Sequence, residues 1–575
     1  MIRFLILLLF CLPAWATPTH KSLSPTERQQ VLKDRTLAKI RALQDYYANL
    51  PYLTGTKHYF CNCGTGAATG CTDNEGNDAD DGLTIATAKQ SLSAAKTVYN
   101  ALGVNDSVLL CKGGAWADTG GWRPQLNYGT CAGQICNEIR EYSPTVTAET
   151  AKPFIDFTGA PWGFEIYGAG TSGTPPGYGS VRIMNLSILG DGIGVRPGVW
   201  VLYGGHDVLI ANNDIYGFYD GVYVNGTGSS GDSPNVTTIA NNISESTTQG
   251  FIGNATNNHV QFNYMINNGS DDSSDHQIYI GVNGTGPITG GIIQGNYMTG
   301  RVGGGNCAGT AIVGHSSTDG LQIVDNYIDE PSSVIGTCYG IGMTDGDGHF
   351  PPAEFEQFSN MYIARNILIN AGQTGITVDA CPNTVIEDNL LVFYNSSTGV
   401  GIDGMGLNQT KSGNTTCNNL TIRNNTVAYM NTPAGNVIGI QITNEGTGHV
   451  VANNIVYSTQ TGSTLSCYYY PLTLTSYAFI NNNNCYSATA SYNWEATRGS
   501  LASWQSASSG ALYAGASGDE TGKSVYGNPA FVDTANLIYR PTAVVTGAGD
   551  NTNKAPLDLY LVPRPNPPTM GAVEQ

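Results

Sequence analysis

The chain has 575 residues and a formal net charge of −19 at pH 7, from 25 Lys and Arg against 44 Asp and Glu. That balance argues against nucleic acid and anionic membranes as partners. Only 12% of residues are charged, which excludes a disordered acidic tail, and 73 glycines beside abundant Asn, Thr and Ser suit a fold of many tight turns and few helices.

Residues 1–16 read as a signal peptide: Arg3, the apolar run Phe4 to Leu12, and the small-x-small site Ala14-Trp15-Ala16. Phe10 is too bulky to precede a lipid-attached Cys11. No later stretch approaches the about 20 apolar residues of a membrane span. A mature chain starting near Thr17 is therefore expected to be secreted, extracellular or periplasmic. Without Cys11 the 13 cysteines become an even 12, and disulfides are expected in that compartment.

Residues 17–57 form an expected helical extension. Its helix spans Ser24 to Leu50, with Pro25 at the first helical position and an apolar stripe through Val31, Leu32, Ile40, Leu43 and Tyr47. Residues 58–140 hold a cysteine-rich loop, a capping helix over Ala86 to Leu102, and an apolar strand from Ser107 to Cys111. Asp73, Asp78, Asp80 and Asp81 crowd this loop and suggest a calcium site by ligand count, although the closing glutamate of an EF-hand is missing.

Residues 141–486 repeat. Asparagine recurs just after a short alternating strand at Asn185, Asn213, Asn263, Asn296, Asn326, Asn366, Asn389, Asn425 and Asn454, with looser matches at Asn241 and Asn484. A second strand family recurs as "GVYVNG", "GFIGNA", "QIYIGV", "TAIVGH", "GIGMTD", "GITVDA", "GVGIDG" and "GIQITN". Two aligned strand families with loops of variable length predict an all-β, right-handed parallel β-helix of roughly 11 or more coils, with N-terminal helical segments capping the stack. A leucine-rich horseshoe also uses ladder asparagines, but its period is nearly constant and dominated by leucine. Residues 487–575 form a closing segment, with a short helix at Ser500 to Ser508.

The opening motifs ("HYFCNC", "GNDADDGLT", "AKQSLSAAKTVYNAL", "DSVLLCKGGAW"), the coils and the ending together resemble the pectate-lyase-like (pectin lyase-like) right-handed parallel β-helix superfamily of secreted carbohydrate-active proteins. The resemblance implies a polysaccharide partner. It leaves lyase, hydrolase and non-catalytic binder open, because one fold hosts all of these. A lyase of this superfamily uses a Lys or Arg base with calcium. Basic residues are scarce here, Arg301 and Lys411 lying only in neighbouring loops, which favours a hydrolase.

Aligning the second strand family places His315, Asp345, Asp379 and Asp403 within one residue of a common column on four successive coils. Stacked carboxylates about 4.8 Å apart repel, so one should be protonated or hold a cation. Glycosidic cleavage needs one protonated and one ionised carboxyl, and the expected roles are catalytic. Asp379 with Asp403 on neighbouring coils fits the short separation of a retaining enzyme, and Asp345 with Asp403, two coils apart, the longer one of an inverting enzyme. The plainer alternative is that these residues cap turns. His276, Asp275 and Arg301 are the substrate-binding candidates. Cys307–Cys338, Cys131–Cys136 and Cys467–Cys485 are the expected disulfides. The function read from this pattern is a secreted enzyme, acting as a monomer, that cleaves glycosidic bonds, with uronic-acid-containing glycans among the candidate substrates. The alternative is a non-catalytic carbohydrate-binding β-helix.

Overall fold

The computed structural model describes residues 25–69, 71, 75–124, 136–143, 150–167, 180–194, 196–202, 205–225, 235–269, 275–281, 288–300, 309–315, 317–330, 339–344, 356–394, 399–404, 417–430, 436–442, 446–459, 464–469, 477–489, 492–495, 499–508, 523–534 and 537–574. Among these, three parallel sheets of 14, 14 and 12 strands wind into a right-handed β-helix. Each coil contributes one strand to each sheet in turn. The first sheet opens at Lys57–Phe60 and ends at Tyr477–Asn481, and the second runs from Ala115–Ala117 to Val525–Tyr526. The third runs from Phe164–Tyr167 to Tyr492–Glu495. The parallel ladder thus extends beyond 141–486 at both ends, because Lys57–Phe60 and Ser107–Cys111 already pair in register.

Stacking in register explains the core. Ile293, Ile323, Ile363, Ile386 and Ile422 align strand over strand in the first sheet. Ile278, Ile312, Ile341, Ile376, Ile402 and Ile440 do so in the third. All are buried in one continuous inner cluster. Each such side chain contributes about 1.5–3 kcal/mol on leaving water.

The turn between the first and second sheets divides between adjacent residues two tasks that one asparagine was expected to perform. The residue entering the turn takes the left-handed conformation, as at Asn185 (φ 59°), Asn212 (52°), Asp325 (59°) and Arg365 (55°). The next residue is the ladder asparagine. Asn213, Asn241, Asn263, Asn296, Asn326, Asn366, Asn389, Asn425, Asn454 and Asn483 form it, each Nδ2 donating to the next Oδ1 at 3.0–3.1 Å. Asn241 is therefore a full member, Asn483 replaces Asn484, and Asn185 belongs to the left-handed column. Leu186 stands at the ladder level of that coil, its N–H donating to Asn213 Oδ1.

Helix α1 (Pro25–Ala48) lies along the flank of the coils and buries Ile40, Leu43 and Tyr47 against a second apolar cluster. Gln44 Nε2 donates to Ala240 O (3.1 Å) and Asn242 Oδ1 (3.0 Å). The C-terminal segment joins the same cluster through Tyr539, Met570 and Val573. It is pinned by Arg564, which is fully buried between Asp388 and Glu574. Helix α2 (Leu92–Tyr99) covers the opening end with Leu92, Ala95 and Tyr99. It is shorter than the expected Ala86 to Leu102, because Lys89 is drawn into a bridge with Phe60. Helix α3 (Leu501–Ser508) inserts Trp504 into the inner core. Disulfides join Cys61–Cys111, Cys63–Cys71, Cys381–Cys417 and Cys467–Cys485. Cys136 is also disulfide-bonded, whereas Cys131, Cys307 and Cys338 lie outside the described residues. No helix among the described residues is long and apolar enough to cross a membrane.

Candidate active site

The third sheet positions the candidate residues, and its register is set by a column of small residues. A Cβ on Gly340 would lie 2.5 Å from Gly375 O, and one on Gly375 would lie 2.6 Å from Gly401 O and 2.2 Å from Leu391 Cδ2. The coils pack too closely there for a side chain, so Gly401, not Gly399, stands over Gly375. This shifts the last candidate by two residues. Asp403 pairs with Thr377, and Gly404 with Val378. The strand Thr310–Gly314 shifts by one, with Ile312 over Ile278.

His315, Thr344 and Asp379 consequently form one outward column. Their backbone N–H groups donate to Ile280 O, Gly314 O and Met343 O of the preceding coils. Asp403 is not in that column. It lies one coil further and two residues back, a diagonal neighbour of Asp379 on the same face. The direct stacking expected for the pair is thus corrected to a diagonal placement. Asp345 and Arg301 lie outside the described residues.

The two carboxyls share a secluded setting. Asp379 is 5% exposed and Asp403 6%. Asp403 Oδ1 has no hydrogen-bond partner among the described residues. Burial, and secondly the charge of Asp379, push the Asp403 carboxyl well above the usual carboxylate range. Tyr339 faces the pair: burial raises its hydroxyl, and the charges of Asp403 and Asp379 raise it further. The floor beside Asp403 is made of small residues, Thr377 and Gly342, on the two preceding coils.

Toward the N-terminal end the same face becomes aromatic. Trp200, Tyr223, Ile252 and Tyr279 occupy successive coils of the column that reaches Asp403. Trp200 stacks on Tyr223 with ring centroids 5.8 Å apart, and Trp162 lies 6.2 Å from Trp200. Arg123 covers Trp162 at 5.0 Å and pairs with Glu165 at 2.5 Å. Tyr279 lies between the rings of His276 (5.5 Å) and His315 (5.7 Å). Burial, then the charge of Glu356, push the Tyr279 hydroxyl up to about 12. Glu356 also approaches His315 Nδ1 at 3.9 Å.

His276 and Asp275 are both buried, and Thr310 N–H donates to His276 Nδ1 at 3.0 Å. His276 therefore braces the next coil with one ring nitrogen. Asp275 raises its neighbour Asp220, whose carboxyl is pushed up to about 6 chiefly by burial. Glu356, Trp200 and the stacking role of Tyr223 and Tyr279 escaped sequence reasoning. The two tyrosines hold equivalent places in "GVYVNG" and "QIYIGV", and that shared position was the available signal. Phe218 and Tyr468 point into the inner core.

The acidic loop fits calcium poorly. Asp78 Oδ1 accepts from Gln90 and Ser91 N–H, and Asp81 Oδ1 accepts from Leu83 N–H and Thr87 Oγ1. Lys89 Nζ donates to the carbonyls of Asp78 and Asp80. Among the described residues only Cys61, Cys63 and Cys71 converge as a metal-like group, and all three are in disulfides. Asp73 lies outside the described residues. Calcium enters no step below.

No protein-family model and no curated protein matches the chain. Similar solved structures include the Dettilon tailspike protein, at 13% identity and TM-score 0.43, covering 70% of this chain and 65% of that one. Another is the catalytic unit of a GH87 α-1,3-glucanase from Streptomyces thermodiastaticus strain HF3-3, at 13% identity and TM-score 0.39, covering 64% and 65%. A third is pectate lyase Pel9A, at 13% identity and TM-score 0.30, covering 91% and 97%. The chain spans just under two thirds of the first two. At such identities the activities of these proteins do not transfer to this one.

Proposed function

We propose that the protein is an exported enzyme that hydrolyses glycosidic bonds of a polysaccharide, with Asp403 as general acid and Asp379 as general base. One observation carries this reading: Asp403, a buried carboxyl that burial pushes well above the usual carboxylate range, lies diagonal to Asp379 on one outward face. Asp403 gives its proton to the glycosidic oxygen as the bond to the anomeric carbon breaks. Asp379 takes a proton from the water that attacks that carbon from the opposite side. The offset by one coil and two residues sets the pair further apart than direct stacking would, which favours inversion, where room is left for this water. The disulfides support export to an oxidising compartment.

The test is turnover on a polysaccharide panel by the wild type, Asp403→Asn and Asp379→Asn. Each substitution should lower kcat by about 10²–10⁴-fold, because proton transfer in the transition state is lost. New reducing ends should appear without ultraviolet-absorbing unsaturated products. Full activity in both variants, or unsaturated products from the wild type, would refute the assignment. A purely binding role is favoured only by the aromatic column, and it predicts no turnover on any glycan.

A further inference from the structure

We infer that the outer face of the third sheet receives a neutral hexose polymer and rejects polyuronates; this rests on the glycoside-cleaving reading of Asp379 and Asp403. The argument is one of stacking and charge. Trp162, Trp200 and Tyr223 present rings on adjacent coils, and Tyr279 continues the column two coils further on. Coils rise by about 4.8 Å, close to the length of one hexose along an extended glycan. These rings pack on one another along the axis, so the column offers a ridge of ring edges against which the apolar patches of a sugar chain can lie. From Tyr279 the column passes over Val313, Gly342 and Thr377 to Asp403, four coils or about 19 Å away. These three side chains are too small to obstruct a chain running from the aromatic platform to the acid.

The charges on this path have one sign. Asp379 and Glu356 lie along it, with Asp275 at its flank, while burial pushes Asp403 and Asp220 toward their neutral forms. The one described arginine of the aromatic platform, Arg123, is committed to Glu165. The remaining cationic capacity among the described residues is that of His276 and His315. A polyuronate would bring a carboxylate with nearly every sugar into this acidic path, in a protein already at −19. Beside partly buried carboxylates such repulsion is stronger than in water. A neutral glycan meets no such penalty, and its hydroxyls can donate to the same carboxylates.

The inference is tested by affinity electrophoresis of the full chain through gels containing a neutral polyhexose (glucans, galactans and mannans in turn) or polygalacturonate or alginate. Runs at roughly 20 mM and roughly 500 mM NaCl separate screened from unscreened repulsion. At least one neutral polymer should retard the protein equally at both salts, and neither polyuronate should do so at low salt. Trp200→Ala and Tyr223→Ala, on the outer face and away from the inner core, should weaken retardation about tenfold with an unchanged β-sheet circular dichroism spectrum. Low-salt binding of a polyuronate tighter than of any neutral polymer, or binding of neither class, would overturn the inference. Uronate cleavage abolished by Asp403→Asn would keep the catalytic pair and sink the neutral-substrate inference. Neutral binding lost in the aromatic variants, with turnover unaffected in both aspartate variants, would do the reverse.

Discussion

Asp403→Asn should stabilise the protein at neutral pH and flatten the pH dependence of its stability. In the folded chain, burial and then the Asp379 charge keep the Asp403 carboxyl well above the ordinary range, whereas unfolding returns it to about 3.9. Between those two values the folded state holds a proton that the unfolded state has released. Stability therefore falls as pH rises through this window, by up to about 1.4 kcal/mol per pH unit. Below the unfolded value the contribution is fully present, and above the folded value it is lost. Asparagine keeps the shape and cannot ionise, so the variant lacks this slope. The loss of hydrogen bonding is small, because Oδ1 has no partner among the described residues to lose. Asp220, raised to about 6 by burial, gives a slope of the same sign in both proteins, so the difference between the two curves isolates Asp403. Melting temperatures by calorimetry from about pH 4 to about pH 9 give the comparison without a two-state assumption, which a long solenoid does not satisfy. Parallel curves for wild type and variant would refute the buried, protonated Asp403 and with it the general-acid role.

Two scaffold predictions follow from the coil geometry. Asn326 donates to Ile293 O (2.9 Å) and Asn366 Oδ1 (3.0 Å), and its Oδ1 accepts from Asn296 N (3.1 Å) and Nδ2 (3.0 Å). Asn326→Ala should therefore cost about 2–4 kcal/mol, since buried partners are left unsatisfied. A variant melting with the wild type by calorimetry would show that the ladder is not a main support. Gly375→Ala puts a Cβ 2.2 Å from Leu391 Cδ2 and 2.6 Å from Gly401 O. Overpacking of this kind should cost about 1–3 kcal/mol or more, and a variant melting with the wild type would refute the register assigned to the third sheet.

The repeat was legible in the sequence because stacking is a periodic constraint. Ile, Val and Leu return at the same place in each coil since no coil buries its own apolar face. Asparagine returns since its amide both donates and accepts along the stack. Asp379, Asp403 and His315 could be nominated from that period alone. Their mutual geometry could not. "GVGIDG" contains two glycines, and only the collision of a Cβ with the next coil selects Gly401 over Gly399 for the small-residue column. That choice moves Asp403 from directly above Asp379 to the diagonal. The same limit hid Glu356, far from His315 in sequence yet 3.9 Å away, because a loop of variable length carries no period. It also hid the platform of Trp162, Trp200 and Tyr223, which exists only once consecutive coils bring their rings into contact. Local pattern determined the solenoid and the residues that line it; close packing between coils decided which of those residues face one another.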